Sequence, residues 1–189
     1  MLTITDNIKL LVTDFDGTLV NTFQANLLAY QEAFGQVGLE LTAEQYRRCF
    51  GLRFDKFMLA MGINDPSTSS KIRELKKQVY PRFFEHLQIN QPLASLIATF
   101  HRQGGKTAIA STARRENLEN ALVHTSLANL FDLILAGEQV RNGKPDPEIY
   151  NTVMQHFGVS PAETLIFEDS DTGLLAAERS GAHFIKITL

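Results

Sequence analysis

Short apolar runs, separated by stretches whose apolar residues recur every three or four positions, fill most of this 189-residue chain. The first run, Ile8-Lys9-Leu10-Leu11-Val12-Thr13, leads into Asp14-Phe15-Asp16-Gly17-Thr18, the pattern of a buried parallel strand that spills into a tight turn. Phe23, Leu27, Tyr30 and Phe34 then predict a helix over 22–34 that Gly35 and Gly38 stop. Thr42-Ala43-Glu44-Gln45 has the form of a capping box and opens a second helix ending near Gly51. A third helix fits 54–61 and is closed by Gly62. Pro66 opens a long fourth one to about His86, with Ile72, Leu75, Val79 and Phe83 on one face. From Pro92 the pattern changes. Helices over 92–103, 115–124, from Pro147 to Gly158, and 172–181 alternate with apolar strands over 107–110, 133–136, 164–167 and 184–187.

Strands alternating with helices predict an α/β fold, a parallel sheet covered on both faces. The stretch 21–89 has no strand signal and reads as an all-helical module inserted after the first strand. The expected division is therefore a core of 1–20 and 90–189 with a helical domain of 21–89.

Composition narrows the possible partners. Eighteen Lys and Arg stand against 21 Asp and Glu, a formal charge of -3, so no basic field would recruit nucleic acid or an acidic membrane. No apolar run approaches the ~18 residues of a membrane span. Met1 to Lys9 lacks the basic start and apolar stretch of a signal peptide, which makes a cytoplasmic location the expectation. Cys49 has no second cysteine to pair with and reads as a small buried hydrophobe.

In open sheets of this kind ligands bind at the carboxyl ends of the strands. The residues there are Asp14 and Asp16, then Ser111-Thr112, then Gly143-Lys144-Pro145 in the loop beyond the third strand, then Glu168-Asp169-Ser170. Two carboxylates as close in the chain as Asp14 and Asp16 are costly to place together unless a cation lies between them. Several carboxylates, one ammonium and one hydroxyl suit Mg2+ together with a phosphoryl group: hard oxygens for the metal, a positive charge for the phosphate.

This constellation resembles the haloacid dehalogenase-like superfamily of aspartate-nucleophile phosphatases and phosphomutases, across almost the whole chain. Asp14-Phe15-Asp16-Gly17-Thr18 is similar to the first motif of that superfamily and Ser111 to its second. Lys144 within Gly143-Lys144-Pro145-Asp146-Pro147 is similar to the third, and Glu168-Asp169-Ser170-Asp171-Thr172-Gly173 to the fourth. The helical insert resembles the small cap of the phosphoglycolate phosphatase and beta-phosphoglucomutase subgroup. The resemblance implies a Rossmann-like doubly wound core with an inserted helical cap domain. It implies Asp14 as the nucleophile that forms an aspartyl-phosphate, and Asp16 as the acid and base whose carbonyl also helps hold Mg2+. Asp169 would bind the metal directly, Glu168 directly or through water, and Ser111 and Lys144 would hold the phosphoryl oxygens. Asp16 argues against dehalogenation, because attack on carbon needs no acid two residues on.

The implied function is Mg2+-dependent hydrolysis of a small phosphorylated metabolite, with a beta-phosphoglucomutase-like sugar phosphomutase as the alternative and a monomer or weak homodimer as the expected state. Thr18 favours the phosphatase, since mutases with this pattern often carry a bulkier apolar residue there. Thr18, Thr112 and Arg53 are the candidates for substrate contact. Arg53 stands out among Arg47, Arg48 and Lys56 because it lies beside a loop glycine. Arg114 and Arg115 fit either a site entrance or a helix start. Asn21 stands where similar proteins often carry an aspartate at the cap hinge.

Overall fold

Leu10, Leu11 and Val12 are essentially without exposure, which places the first apolar run at the middle of a sheet rather than at its edge. The computed structural model describes residues 7–189, so most of the leader expectation for Met1 to Lys9 lies outside the described residues. In chain order the strands are β1 (Leu10–Thr13), β2 (Val20–Asn21), β3 (Gln88–Ile89), β4 (Lys106–Ala110), β5 (Leu133–Leu135), β6 (Thr164–Glu168) and β7 (His183–Lys186). The helices are α1 (Phe23–Gly35), α2 (Ala43–Cys49), α3 (Phe54–Ala60), α4 (Pro66–Val79), α5 (Gln91–Arg102), α6 (Arg115–His124), α7 (Glu148–Phe157) and α8 (Asp171–Ser180).

Five strands form one sheet in the order β5-β4-β1-β6-β7, and each of its pairings is parallel. The chain first builds outward from β1 through β4 to β5. It then crosses to the other side of β1 for β6 and β7, so the order reverses at β1. A crevice opens at the carboxyl ends of the strands at such a reversal. Thr13 lies opposite both Ile109 and Phe167, which puts Asp14 level with Ala110 and Glu168.

Alternation along each strand divides the core. Leu10, Val12, Ala108, Ala110 and Ile166 pack with Ile149, Tyr150 and Val153 of α7 and with Ala176 and Ala177 of α8. Leu11 and Ile109 point the other way, and α5, which buries Leu93, Ala94 and Ile97, packs on β4. The doubly wound α/β reading of the sequence is thus the observed fold.

The chain divides into two compact units, one made of the segment ending at Val20 with Ile89–Leu189 and the other of Asn21–Gln88. The second unit is helical. Thr42 and Gln45 form the expected capping box at the start of α2, with Gln45 N donating to Thr42 Oγ1 (3.2 Å) and Thr42 N to Gln45 Oε1 (2.8 Å). Phe34, Tyr46 and Phe57 form its aromatic core with Tyr30 against them, and Cys49 is buried there as expected. The sequence reading needs two corrections here, at the end of the fourth helix and at the bounds of the insert. The α-helix expected from Pro66 to His86 stops at Val79 and continues as a 3-10 helix over Tyr80–His86, because Pro81 can neither donate to a helical bond nor clear the preceding turn. Leu75 packs against the cluster that holds Ile72, as its face predicts, and Lys76 is buried beside it, its ammonium 3.4 Å from the centre of the Tyr80 ring. And the stretch expected to hold no strand is bounded by β2 and β3, which pair with each other. Among the described residues no helix is long and apolar enough to cross a membrane.

The amino-terminal end of the sheet is tied by Lys9, whose Nζ lies 2.5 Å from Glu163 Oε1. The bond from Lys9, with those from the Ser160 amide and hydroxyl, lowers the Glu163 pKa from its ordinary 4.5 to about 2. A depressed carboxylate stabilises the fold fully above its unfolded value and loses that contribution as pH falls toward the folded one. Replacing Glu163 by Gln is therefore expected to lower Tm at pH 6. The gap to wild type should close as pH is taken from 4.5 down to 2, as followed by circular dichroism.

Candidate active site

Asp14 follows β1 directly, and its amide donates to Phe167 O at 2.9 Å, so the ladder fixes where its side chain starts. Phe15 is buried, and the chain then turns back on itself. Val20 N donates to Phe15 O (3.0 Å) and Gly17 N to Val20 O (2.8 Å), with Gly17 at φ 91°, a conformation that favours glycine. The turn keeps Asp16 close enough to add to the negative field on Asp14.

Lys144 reaches this point from the loop between β5 and α7. Its ammonium lies 2.7 Å from Asp14 Oδ1 and also donates to Glu168 Oε1, and all three side chains are buried. The loop is held by carboxylates and a guanidinium. Glu148 accepts from the amides of Arg141 (2.8 Å) and Asn142 (2.9 Å), and Arg179 of α8 donates to Pro145 O at 3.1 Å. Glu168, the last residue of β6, has both oxygens engaged. Oε1 accepts from Lys144 and from Tyr150 OH (3.1 Å). Oε2 accepts from the amides of Asp169 (2.9 Å) and Ser170 (3.0 Å) and from Ser170 Oγ (3.1 Å). Ser170 Oγ in turn accepts from Gly173 N (3.1 Å) and caps α8.

The electrostatics follow from burial and crowding. Burial pushes Asp14 well above the usual carboxylate range and the charges of Glu168, Asp169 and Asp16 push it further, with Lys144 acting the other way. Burial works against the Lys144 ammonium, yet Asp14 and Glu168 outweigh it and hold the lysine well above its ordinary value. Glu168 is raised by burial, but Lys144 and the hydrogen bonds around it leave its pKa below the ordinary one. Asp169 is pushed up to about 6 by burial, against the hydrogen bond from Thr18 and with the charge of Glu168 adding to the rise. Four carboxylates thus share one ammonium, and the surplus negative charge suits a divalent cation. Among the described residues no three His, Cys, Asp or Glu side chains form a ready cluster. Mg2+ does not require one, since it keeps several waters and takes one or two carboxylates along with substrate oxygens. Asp14, Asp169 and the carbonyl of Asp16 are a donor set of that kind.

Ser111 follows β4 and is fully buried, its amide donating to Leu135 O at 3.0 Å. Its hydroxyl oxygen accepts from Ala113 N (3.0 Å), which leaves the hydroxyl proton to be given elsewhere. Thr112 presses its backbone on Gly137. A Cβ at Gly137 would stand 2.4 Å from Thr112 O, so the glycine lets the two loops meet.

The other candidate side chains have partners within the protein. Thr18, a candidate for substrate contact, is fully buried and donates to Asp169 Oδ1 at 2.8 Å. Glu168, expected among the metal ligands, already accepts from five donors, and a direct metal bond would displace some of them. Arg53 stands before α3 in the helical unit, with Nε 3.5 Å from Asp55. Arg114 and Arg115 pair with Glu138 and Glu119 at the exposed start of α6. Asn21 accepts from Phe23 N (3.2 Å) at the start of α1, a bond an aspartate would also make. Sequence reasoning missed Tyr150, and it placed Gly173 in the fourth motif without its role of leaving room for the Glu168 carboxylate. Tyr150 stands three residues beyond the third motif, and nothing local shows that its hydroxyl ends on Glu168.

The haloacid dehalogenase-like hydrolase family model matches residues 11–187. A phosphorylated carbohydrates phosphatase of Thermotoga maritima is 34% identical over 90% of this chain and 80% of its own length. The crystal structure of CbbY from Rhodobacter sphaeroides in complex with phosphate superposes with a TM-score of 0.87 at 27% identity, over 96% of this chain and 87% of that one. That of a putative beta-phosphoglucomutase from Thermotoga maritima does so at 0.72 and 28%, over 96% and 86%. The chain belongs to the haloacid dehalogenase-like hydrolase family. Within it, the chain is a phosphoric monoester hydrolase.

Two substitutions test the frame around Lys144. Tyr150→Phe removes one of five donors to Glu168 and is expected to lower stability by about 1 kcal/mol, read from urea unfolding. Gly173→Ala would place a Cβ 1.9 Å from Glu168 Oε1. It is expected to cost about 2–3 kcal/mol or more and to depress phosphate release along with stability.

Proposed function

We propose that this chain is a Mg2+-dependent phosphatase of small phosphorylated metabolites, sugar phosphates foremost, working through an aspartyl-phosphate on Asp14. The observation that carries the reading is the buried Lys144 ammonium 2.7 Å from Asp14, at a strand end where three further carboxylates crowd in. The charge of Lys144 favours the ionised Asp14 that attack requires. The curated phosphatase relative from Thermotoga maritima supports carbohydrate phosphates as the substrate class.

An Asp14 oxygen attacks phosphorus while the bond to the leaving oxygen breaks, and Asp16 gives that oxygen its proton. Asp16 then takes a proton from the water that attacks the phosphorylated Asp14, so that inorganic phosphate leaves and Asp14 is restored. Lys144, which donates to Asp14 and Glu168, and the Ser111 hydroxyl are the groups this reading assigns to the phosphoryl oxygens. Mg2+, held by Asp14, Asp169 and the Asp16 carbonyl, would neutralise charge on the transferring group. Thr112 and Arg53 remain candidates for substrate contact. A core of 1–20 and 90–189 with a cap of 21–89 is part of the same reading, as is a cytoplasmic monomer or weak homodimer.

The chain, incubated with Mg2+ and a panel of sugar phosphates, is expected to release inorganic phosphate. Isomerised sugar phosphate without free phosphate would replace this reading with the phosphomutase. Asp14→Asn should lower turnover by more than about 10^3-fold. Asp16→Asn should harm sugar phosphates far more than p-nitrophenyl phosphate, whose leaving group needs no proton. Equal losses on both substrates would remove the acid role from Asp16.

A further inference from the structure

Asn90 lies where the chain returns to the core after the helical insert, one residue before α5, and it grips the motif turn twice. Its backbone amide donates to Leu19 O (2.9 Å) and its side-chain Nδ2 to Thr18 O (3.1 Å). The bonds within the turn use Phe15 O and Val20 O, and Asn90 takes up two of the four carbonyls between them, those of Thr18 and Leu19. Its Oδ1 meanwhile accepts from Leu93 N (3.3 Å) and caps α5. One side chain therefore acts as donor to the turn and acceptor from the helix, a combination that a carboxylate or a hydroxyl of shorter reach cannot reproduce.

Thr18 carries the effect onward. It is fully buried and β-branched, so its χ1 is stiff and the setting of its peptide determines where Oγ1 points. Oγ1 points at Asp169 Oδ1, 2.8 Å away. We infer that Asn90 is a positioning residue for Asp169: by fixing the Thr18 carbonyl it aims the Thr18 hydroxyl, which orients the carboxylate assigned above to the cation. This rests on the metal-dependent reading of the site. Partners that orient metal-binding carboxylates typically tune affinity by 10–100-fold, and Asn90, one bond further out, belongs at the low end of that range.

Asn90→Asp separates the two jobs, because the carboxylate can still cap α5 but cannot donate to Thr18 O. With purified full chain and Mn2+ as the probe in isothermal titration calorimetry, N90D is expected to weaken binding about tenfold while Tm stays near the wild-type value. Thr18→Val should weaken binding to a similar degree, and the T18V/N90D double variant should be no weaker than T18V alone, since both act through one hydroxyl. Should N90D not fold, Asn90→Ser, which caps but cannot reach Thr18, takes its place in the same measurements. Wild-type affinity in N90D, or a double variant whose loss is the product of the single losses, overturns the inference and leaves the phosphatase reading standing. A wild-type chain that binds no Mn2+ overturns both.

Discussion

The ammonium of Lys144, buried between Asp14 and Glu168, is the interaction on which the rest of the site depends. Taking a charge out of water costs several kcal/mol, and the cost is met only when partners and hydrogen bonds leave nothing unsatisfied. Lys144 has two carboxylates against its one charge. Glu168 has five donors around its two oxygens, so one of the two acids is fully occupied and the other is held ready. The structure spends much of its local architecture on this trio. Gly173 gives room for the Glu168 carboxylate, Tyr150 rises from α7 beneath it, and Glu148 and Arg179 fix the loop that carries the lysine.

A trio with two acids and one base is not neutral, and Asp16 and Asp169 add to the imbalance. That is the physical reason the site reads as a cation site before any cation is considered. The sheet topology concentrates the charge. Because the strand order reverses at β1, the ends of β1, β4 and β6 open on one crevice. The parallel register sets Asp14 level with Glu168. A one-residue slip of β6 would turn the Glu168 side chain to the other face and leave Lys144 with Asp14 alone.

The contrast between Thr18 and Glu168 shows how far a motif can be read by itself. Both were visible in the sequence as members of the site, yet each does something the motif does not announce. Thr18 serves Asp169, and Glu168 serves Lys144 and the start of α8. The capping box of α2 and the stop at Gly158, which adopts a left-handed conformation, were legible because capping is local chemistry written within four residues. Pro81 was equally local, and its break in the fourth helix follows from the missing amide hydrogen. The burial of Lys76 was only half local, since Tyr80 lies one helical turn on but the ring of Tyr30 comes to the ammonium from α1.

From the sequence alone came the alternation of apolar strands with amphipathic helices, hence the α/β class, and the chemical identity of each strand-end residue, because strand burial and helix periodicity are encoded by neighbours along the chain. The tertiary structure decided which of those residues touch. Asp14 and Lys144 are 130 positions apart, and Thr18 and Asp169 are 151 apart. Contacts over such separations are fixed by sheet order and register, which no window of sequence contains. Asn90 is the plainest case. Its letter says only that it can cap a helix, while its position between the return crossover and the turn after β1 makes it the clasp between that turn and α5.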